Sequence, residues 1–290
     1  MVSPVIPKGK LLLIGGHEEK GAPAGENLKV HKRTATTNHF EILGTLISTI
    51  PRAHHWIEII ASASAIPAEM EALYVDSFQR QGFSKVGIIQ VSSQKDAQNP
   101  LLIKRIQASH AVFFTGGDQQ RLVSHLADTP LLAAIRKKYF SDPNFIVAGT
   151  SAGAMAMPET IIEGGLIHEA LYNADLSLGM GLGLIDHVIV DTHFIKRGRF
   201  ARLAHAVALN PTCLGIGLGE DTAILVSEGN LMEVIGSGMV ILIDPSRMHA
   251  KNLNAGFEDT LSIVIENLIV SILAEGSRYW VKERTSHSKL

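Results

Sequence analysis

The sequence is poor in cysteine, in charge of a single sign and in long apolar runs. Its 290 residues include one cysteine, Cys213, so neither an internal disulfide nor a cysteine zinc cluster can form. Apolar neighbours predict that this thiol is buried and inert. The formal net charge is only −2 and the basic residues form no long run, so we expect no nucleic-acid partner.

Membrane and metal patterns are also missing. The apolar run Leu11–Ile14 is too short to cross a bilayer, and no segment before it has the length of a secretion signal. The 13 histidines include no His-x-x-x-His pair or equivalent ligand spacing. We therefore expect a soluble, cytoplasmic protein with no metal, no cofactor and no membrane partner.

The chain does have enough apolar material for a large core, with 46% hydrophobic and 19% charged residues. Short apolar runs alternate with amphipathic stretches. The runs predict strands at Lys10–Ile14, Trp56–Ala61, Lys85–Val91, Ala111–Phe114, Phe145–Ala148 and His187–Asp191. Helices are predicted at Asn38–Ile50, Ala68–Gln81, Pro100–Ala108 and Arg199–Leu209. This alternation predicts an α/β fold with a mainly parallel sheet and helices on both faces.

The last third of the chain has a different pattern. Strands are predicted at Thr222–Val226, Leu231–Ile235 and Val240–Ile243, separated by glycine and polar turn residues, so this part is β-rich. A polar stretch at 21–37 predicts a long surface loop. The sequence has no repeat, low-complexity tract or clear linker, and we expect residues 1–290 to form a single domain.

The most informative motif is Gly149-Thr150-Ser151-Ala152-Gly153, which follows one predicted strand and leads into small residues. This is the context of a nucleophile elbow, where a strained turn exposes the serine hydroxyl and small neighbours let strand and helix approach. The same string also occurs in purely structural turns. Ligands of such sheets bind at the carboxyl ends of strands, and two more polar loops, at 116–119 and 191–193, follow predicted strands.

A serine nucleophile requires a base and a group that orients the base. His193 stands out among the histidines because it lies just past a buried-type strand, beside Asp191. Asp191 and Glu220 are both candidates for the orienting acid, since Glu220 follows the apolar, glycine-rich run 214–219. Spacing alone leaves that choice open.

Five motifs together resemble the cyanophycinases, a serine-peptidase family related to aspartyl dipeptidase (peptidase E). The resemblance runs in order over nearly the whole chain. The motifs are Gly15-Gly16-His17-Glu18-Glu19-Lys20, Thr115-Gly116-Gly117-Asp118-Gln119, Gly149-Thr150-Ser151-Ala152-Gly153-Ala154, Asp191-Thr192-His193-Phe194 and Gly217-Leu218-Gly219-Glu220-Asp221-Thr222. The resemblance implies a flavodoxin-like sheet, akin to the class I glutamine amidotransferase domain, and a homodimer.

The resemblance also implies roles for individual residues. Ser151 matches the nucleophile, His193 the general base and Glu220 the acid that orients it. The N–H groups of Gly117 and Ala152 match an oxyanion hole. The residues predicted to bind substrate are Gln119, Asp191, Thr192, Arg197, Arg199 and Arg202.

The substrate implied by the resemblance is cyanophycin, a poly-aspartate whose β-carboxyl groups carry arginine, and the products are β-Asp-Arg dipeptides. Arginine side chains would hold the free carboxylates of this polymer. Thr192 stands where relatives often have glutamine, and the stretch 163–184 matches poorly, which puts side-chain preference in doubt. Two alternatives remain: an aspartyl dipeptidase that cleaves short peptides, and a non-catalytic binding module.

Overall fold

The computed structural model of the chain describes residues 6–18, 41–50, 56–164, 176–251, 253 and 262–287. Within these ranges the chain forms seven α-helices and seventeen strands. The helices are α1 (Glu41–Thr49), α2 (Pro67–Arg80), α3 (Pro100–Ala108), α4 (Gln119–Leu126), α5 (Pro130–Ser141), α6 (Ala152–Met155) and α7 (Phe200–Leu209). The predicted loop at 21–37 lies outside the described residues.

The strands alternate with the helices in the first half of the chain and follow one another in the second half. They are β1 (Lys10–Ile14), β2 (Trp56–Ile60), β3 (Lys85–Ile88), β4 (Ala111–Phe114), β5 (Ile146–Thr150), β6 (Thr160–Gly164), β7 (Ser177–Met180), β8 (Val188–Asp191), β9 (Leu214–Leu218), β10 (Thr222–Ser227), β11 (Leu231–Gly236), β12 (Val240–Asp244), β13 (His249–Lys251), β14 (Val264–Glu266), β15 (Ile269–Leu273), β16 (Arg278–Trp280) and β17 (Thr285–His287).

The central sheet has nine strands in the order β17-β16-β11-β10-β1-β5-β4-β2-β3. The five strands from β1 to β3 in this order are parallel to one another, and the other four are added antiparallel. Four of the parallel strands, β1, β2, β4 and β5, are buried almost continuously, as expected when both faces of a sheet are covered, whereas the edge strand β3 is partly exposed. Their carboxyl ends meet at one edge, where the polar loops of the motifs lie.

Two apolar cores separate the sheet from its helices. Alternate residues of β1 illustrate this, since Leu11 and Leu13 face the core under α3 and α5, whereas Leu12 and Ile14 face the core under α1 and α2. Both cores consist of buried side chains, and each large aliphatic or aromatic side chain among them contributes about 1.5–3 kcal/mol to folding. The predicted mixed α/β fold with helices on both faces is therefore confirmed.

A second sheet has the order β15-β12-β9-β8, with β8 and β9 parallel. It packs on α7 through a third apolar cluster, which includes Ile189, Phe194 and Leu203. Cys213 is buried in this cluster, and burial raises the pKa of its thiol, which agrees with an inert side chain. The C-terminal part is β-rich, as the sequence predicted.

The helix starts follow from local sequence. Asn99 and Thr129 each precede a proline, and their side chains accept hydrogen bonds from the backbone at Leu101 and Leu132. Such a cap followed by proline favours a helix start, because proline has no N–H to satisfy. Asp118 caps α4 in the same way without proline, which fixes the turn that contains Gly116 and Gly117.

Candidate active site

Ser151 lies at the carboxyl end of β5, immediately before α6. Its backbone has φ 51° and ψ −117°, a strained conformation for a residue with a side chain. Close approach explains the flanking glycines: a Cβ on Gly149 would lie 2.7 Å from the carbonyl carbon of Gly153, and one on Gly153 would lie 2.4 Å from the Phe114 oxygen. The strand, strained turn and helix of a nucleophile elbow are thus all present.

His193 and Glu220 come from the second sheet. His193 follows β8 by two residues, and Glu220 follows the adjacent parallel strand β9 by two residues. Because these strands run in the same direction, the loops at their carboxyl ends lie side by side. The two loops face Ser151 of the central sheet across the end of β1.

The three side chains form one chain of hydrogen bonds. The Ser151 hydroxyl lies 2.9 Å from Nε2 of His193, and Nδ1 of His193 lies 2.8 Å from Oε1 of Glu220. An ionised carboxylate only accepts, so Nδ1 carries the proton and Nε2 accepts from the hydroxyl. This is the geometry in which imidazole can remove the serine proton as the oxygen attacks.

The electrostatic surroundings keep the imidazole neutral. Burial lowers the pKa of His193, and the charge of Arg197 lowers it further, whereas the hydrogen bond to Glu220 opposes both effects. Burial alone would raise the pKa of Glu220, but hydrogen bonds from His193 and Lys196 outweigh it and lower that pKa. The Lys196 ammonium lies 3.0 Å from Oε2 of Glu220. A neutral base beside an ionised acid is the starting state that serine catalysis requires.

Gly15 and Gly16, at the end of β1, connect the two sheets at the site. The Gly15 carbonyl accepts from the backbone N–H of His193 at 2.9 Å, and the Gly16 carbonyl accepts from that of Asp221 at 3.0 Å. A Cβ on Gly16, which has φ 98°, would lie 2.4 Å from Cε1 of the His193 ring. The sequence motif is therefore explained by close packing against the imidazole, a role that sequence reasoning did not assign.

The loop after β4 supplies the second wall of the site. A Cβ built on Gly116 would lie 3.5 Å from Cβ of Ser151, so this backbone packs directly on the serine. Gly117 has φ 143°, and a Cβ there would clash with the Ala63 carbonyl. Within the described ranges, the N–H groups of Gly117 and Ala152 donate no backbone hydrogen bond. These are the two N–H groups that the resemblance matches to an oxyanion hole.

Four of the residues predicted to bind substrate are buried. Asp191 and Thr192 are fully buried, and Arg199 and Arg202 are only 8% and 6% exposed. The two guanidinium groups bind Asp191, Arg199 through Nη1 at 2.8 Å and Arg202 through Nε at 2.8 Å. Arg199 also donates to the Thr192 carbonyl. This buried cluster therefore fixes the segment that carries His193, and direct contact of its four side chains with substrate stays a prediction.

Arg197 and Gln119 do lie at the surface of the site region. Arg197 is exposed, whereas its two neighbouring arginines in the motif are buried. The Gln119 amide donates to the Ile162 carbonyl at 2.9 Å, which connects the start of α4 to β6. Of the three predicted arginines, Arg197 is thus the one positioned to reach a ligand.

Sequence reasoning missed a buried acid behind the nucleophile. Glu18 is 3% exposed and accepts hydrogen bonds from the hydroxyls of Tyr74 and Thr150. Thr150 directly precedes Ser151, so this network connects α2 to the elbow. The available signal was the motif at 15–20, in which a glutamate follows two glycines, but only the fold shows that the carboxylate points inward.

The described ranges contain no group of three or more histidine, cysteine, aspartate or glutamate side chains arranged to hold a metal ion. In the same ranges, no helix is long and apolar enough to cross a membrane.

The hydrogen-bonded Ser–His–Glu arrangement has the geometry that a serine peptidase requires, and comparison with known proteins agrees with that class. The model of peptidase family S51 matches residues 36–234. This chain belongs to that family.

Curated relatives and solved structures are similar over most of the chain. A cyanophycinase of Trichormus variabilis is 35% identical over 98% of this chain and 90% of its own length. A cyanophycinase of Synechococcus elongatus is 34% identical over 94% of this chain and 79% of its own. The crystal structure of a peptidase from an acI-B1 Actinobacterium has TM-score 0.59 at 23% identity, covering 83% of this chain and 92% of that chain, which is a likeness of fold.

Proposed function

We propose that this serine peptidase is a cyanophycinase, which hydrolyses the aspartate backbone of cyanophycin to β-Asp-Arg dipeptides. Ser151 is the nucleophile, His193 the general base and Glu220 the orienting acid. The observation that carries the proposal is the continuous hydrogen-bonded chain from the serine hydroxyl to the carboxylate, at 2.9 and 2.8 Å. The cyanophycinase relatives support the choice of polymer.

The reaction follows from these positions. As the Ser151 oxygen attacks an α-peptide carbonyl, its proton moves to Nε2 of His193, and Glu220 stabilises the resulting imidazolium. The N–H groups of Gly117 and Ala152 receive the negative oxygen, and removing one such donor costs about 3–4 kcal/mol of transition-state stabilisation. His193 returns the proton to the leaving amine. Water activated by the same nitrogen then hydrolyses the acyl-enzyme.

Substrate recognition is proposed at two of the predicted positions. Arg197 is exposed beside the base and offers a guanidinium fork to a free carboxylate of the polymer. Gln119, at the start of α4, lines the approach to the Gly116–Gly117 turn, and its amide oxygen can accept from substrate while its nitrogen binds Ile162.

The finer description of the fold belongs to this proposal as well. We propose a flavodoxin-like arrangement akin to the class I glutamine amidotransferase domain. The order β3-β2-β4-β5 supports it, because this is the 2-1-3-4 part of the flavodoxin order, and β1 takes the fifth place. A single domain over residues 1–290, a homodimeric assembly and a cytoplasmic location are proposed with it.

The test is the replacement of the nucleophile. Ser151→Ala should reduce dipeptide release from cyanophycin by roughly a million-fold, as removal of a triad serine does elsewhere, without changing the thermal unfolding temperature. Ser124→Ala, at an exposed serine of α4, is the matched control and should keep full activity. Dipeptide release by Ser151→Ala at the control rate would refute the serine assignment.

Clearing of insoluble polymer separates this function from the alternatives. A cyanophycinase clears the suspension and releases dipeptides, whereas an aspartyl dipeptidase cleaves short aspartyl peptides and leaves the granules turbid. A non-catalytic binding module sediments with the granules and releases nothing.

A further inference from the structure

A cavity lies at the carboxyl ends of β2 and β3. Its volume is about 400 Å³, and its walls are the loops that follow these strands together with α2 and α4. The chain connects β2 to β3 on one side and then returns to place β4 on the other side of β2. The crevice at such a reversal of strand order is where open α/β sheets bind ligands.

One wall of the cavity carries a buried carboxylate that has few hydrogen-bond donors among the described residues. Glu71, on α2, is 6% exposed, and its polar contact within the described residues is a long hydrogen bond of 3.4 Å from the Gln90 amide. Among the same residues, no lysine, arginine or histidine forms an ion pair with it. Burying a carboxylate is costly unless a cation or several donors satisfy it. Among the described residues this carboxylate is therefore weakly satisfied, and it lies in the wall of the cavity, where a cationic group of a ligand can reach it.

The opposite wall, on α4, carries basic groups. Arg121 is exposed and lines the cavity. His125 lines it one turn further along, and its Nδ1 atom is buried with no hydrogen-bond partner among the described residues. Ile89 and Val91 also line the cavity and are buried. The lining therefore combines apolar side chains with an acid on α2 and basic groups on α4, which suits a flexible ligand with both charges.

The cavity is connected to the nucleophile by the backbone of the Gly116–Gly117 turn. The Ala63 carbonyl, in the loop after β2, accepts from the N–H of Asp118 at 2.9 Å. Since β4 alone separates β2 from β5, the end of β2 lies about 10 Å from that of β5, at ~4.8 Å per strand. An aspartate side chain extended by a whole arginine also spans roughly 10 Å at ordinary bond lengths.

We propose that this cavity is a subsite for an isopeptide-linked arginine of the substrate, in which Glu71 binds the guanidinium and Arg121 binds the α-carboxylate of the same arginyl group. The inference rests on the proposed function, because cyanophycin is the polymer that presents such arginyl branches. Both groups of the ligand are free in the polymer, since only the arginine α-amino group is used in the isopeptide bond.

The experiment compares two soluble oligomers of aspartate whose β-carboxyl groups carry either arginine or citrulline. Citrulline has the shape of arginine but no charge, so the affinity ratio of the two oligomers measures recognition of the guanidinium. Binding is measured by titration calorimetry on the full chain with Ser151→Ala, which prevents turnover. Glu71→Gln is then added, and Glu69→Gln, at an exposed glutamate of the same helix, is the matched control.

With Glu71 intact, the arginine oligomer should bind tighter than the citrulline oligomer. Glu71→Gln should lower this ratio roughly tenfold or more, as loss of a charge-assisted hydrogen bond does, while Glu69→Gln leaves it unchanged. Arg121→Gln should weaken both oligomers equally, because citrulline keeps the α-carboxylate. An equal or higher unfolding temperature for Glu71→Gln shows that the fold is intact.

If Glu71→Gln leaves the arginine-to-citrulline affinity ratio unchanged, the proposed subsite is wrong. If Arg121→Gln binds both oligomers with unchanged affinity, Arg121 does not bind the α-carboxylate of the arginyl group. Dipeptide release by the unmodified chain is measured separately: hydrolysis combined with an unchanged ratio refutes the subsite alone, whereas a ratio that depends on Glu71 without any hydrolysis refutes the proposed function alone.

Discussion

Replacing Gly16 by alanine tests whether β1 sets the position of the catalytic imidazole. The new Cβ would lie 2.4 Å from Cε1 and 2.5 Å from Nε2 of His193. Ordinary carbon contacts are about 3.5 Å, so the ring has to move by roughly 1 Å. It cannot move without lengthening its hydrogen bond to Ser151 or to Glu220.

The magnitude follows from this displacement. A misplacement of about 1 Å in a catalytic group costs on the order of 100-fold in rate, so Gly16→Ala should lower kcat/KM by about that factor. Alanine at φ 98° should also destabilise the fold by about 1–3 kcal/mol. The two effects need separating, because a less stable protein also loses activity.

Gly82→Ala is the control that separates the loss of stability from the displacement of His193. Gly82 has nearly the same backbone angle, φ 97°, but among the described residues a Cβ there meets only the flexible end of Ile47, at 3.4 Å. Both variants should lose similar stability in urea unfolding, and only Gly16→Ala should lose activity in a dipeptide-release assay. Equal kcat/KM for the two variants would show that Gly16 does not position His193.

The remaining predictions concern the arginines that follow the base. Arg202→Ala leaves Asp191 buried without one of its cations and should lower the free energy of unfolding, measured in urea, by about 3–5 kcal/mol. Arg197→Ala, at an exposed position, should change it by less than about 0.5 kcal/mol. Equal free energies of unfolding for the two variants would contradict the buried cluster of Asp191, Arg199 and Arg202. Since the charge of Arg197 lowers the pKa of His193, and this base acts only when deprotonated, Arg197→Gln should move the acid limb of the kcat/KM profile to higher pH. Arg247→Gln, at an exposed position beyond β12, should leave the limb in place, and a limb equally unmoved in Arg197→Gln would contradict this coupling.

The strands and the elbow were predictable because they depend on local pattern. Continuous apolar runs identified β1, β4 and β5 almost to the residue, and the small residues around Ser151 indicated its turn. Helix α2 was predicted one residue late, because Pro67 begins it and proline at the first helical position is favoured. Boundaries such as the end of β3 shifted by up to three residues, since apolar side chains continue into the loop at 89–91.

The roles of charged residues were harder to predict, because burial depends on the assembled fold. Arg199 and Arg202 have the spacing of a surface cluster, yet both lie inside because Asp191 lies inside with them. The same limit applies to Glu18, whose partners Tyr74 and Thr150 are distant in sequence. Spacing also left Asp191 and Glu220 in competition, and the structure places Glu220, not Asp191, against the ring of His193.

The three proposed catalytic residues come from two different sheets, which affects the order in which the active site is assembled. The elbow is complete once β5 and α6 have formed, but the imidazole and the carboxylate belong to loops made later, after β8 and β9. Until those loops dock on Gly15 and Gly16, residue 151 is an ordinary alcohol with no group to accept its proton. On the proposed assignment, a chain that has been synthesised only as far as residue 192 has the nucleophile but neither the base nor the acid, so the complete catalytic set requires the chain up to residue 220.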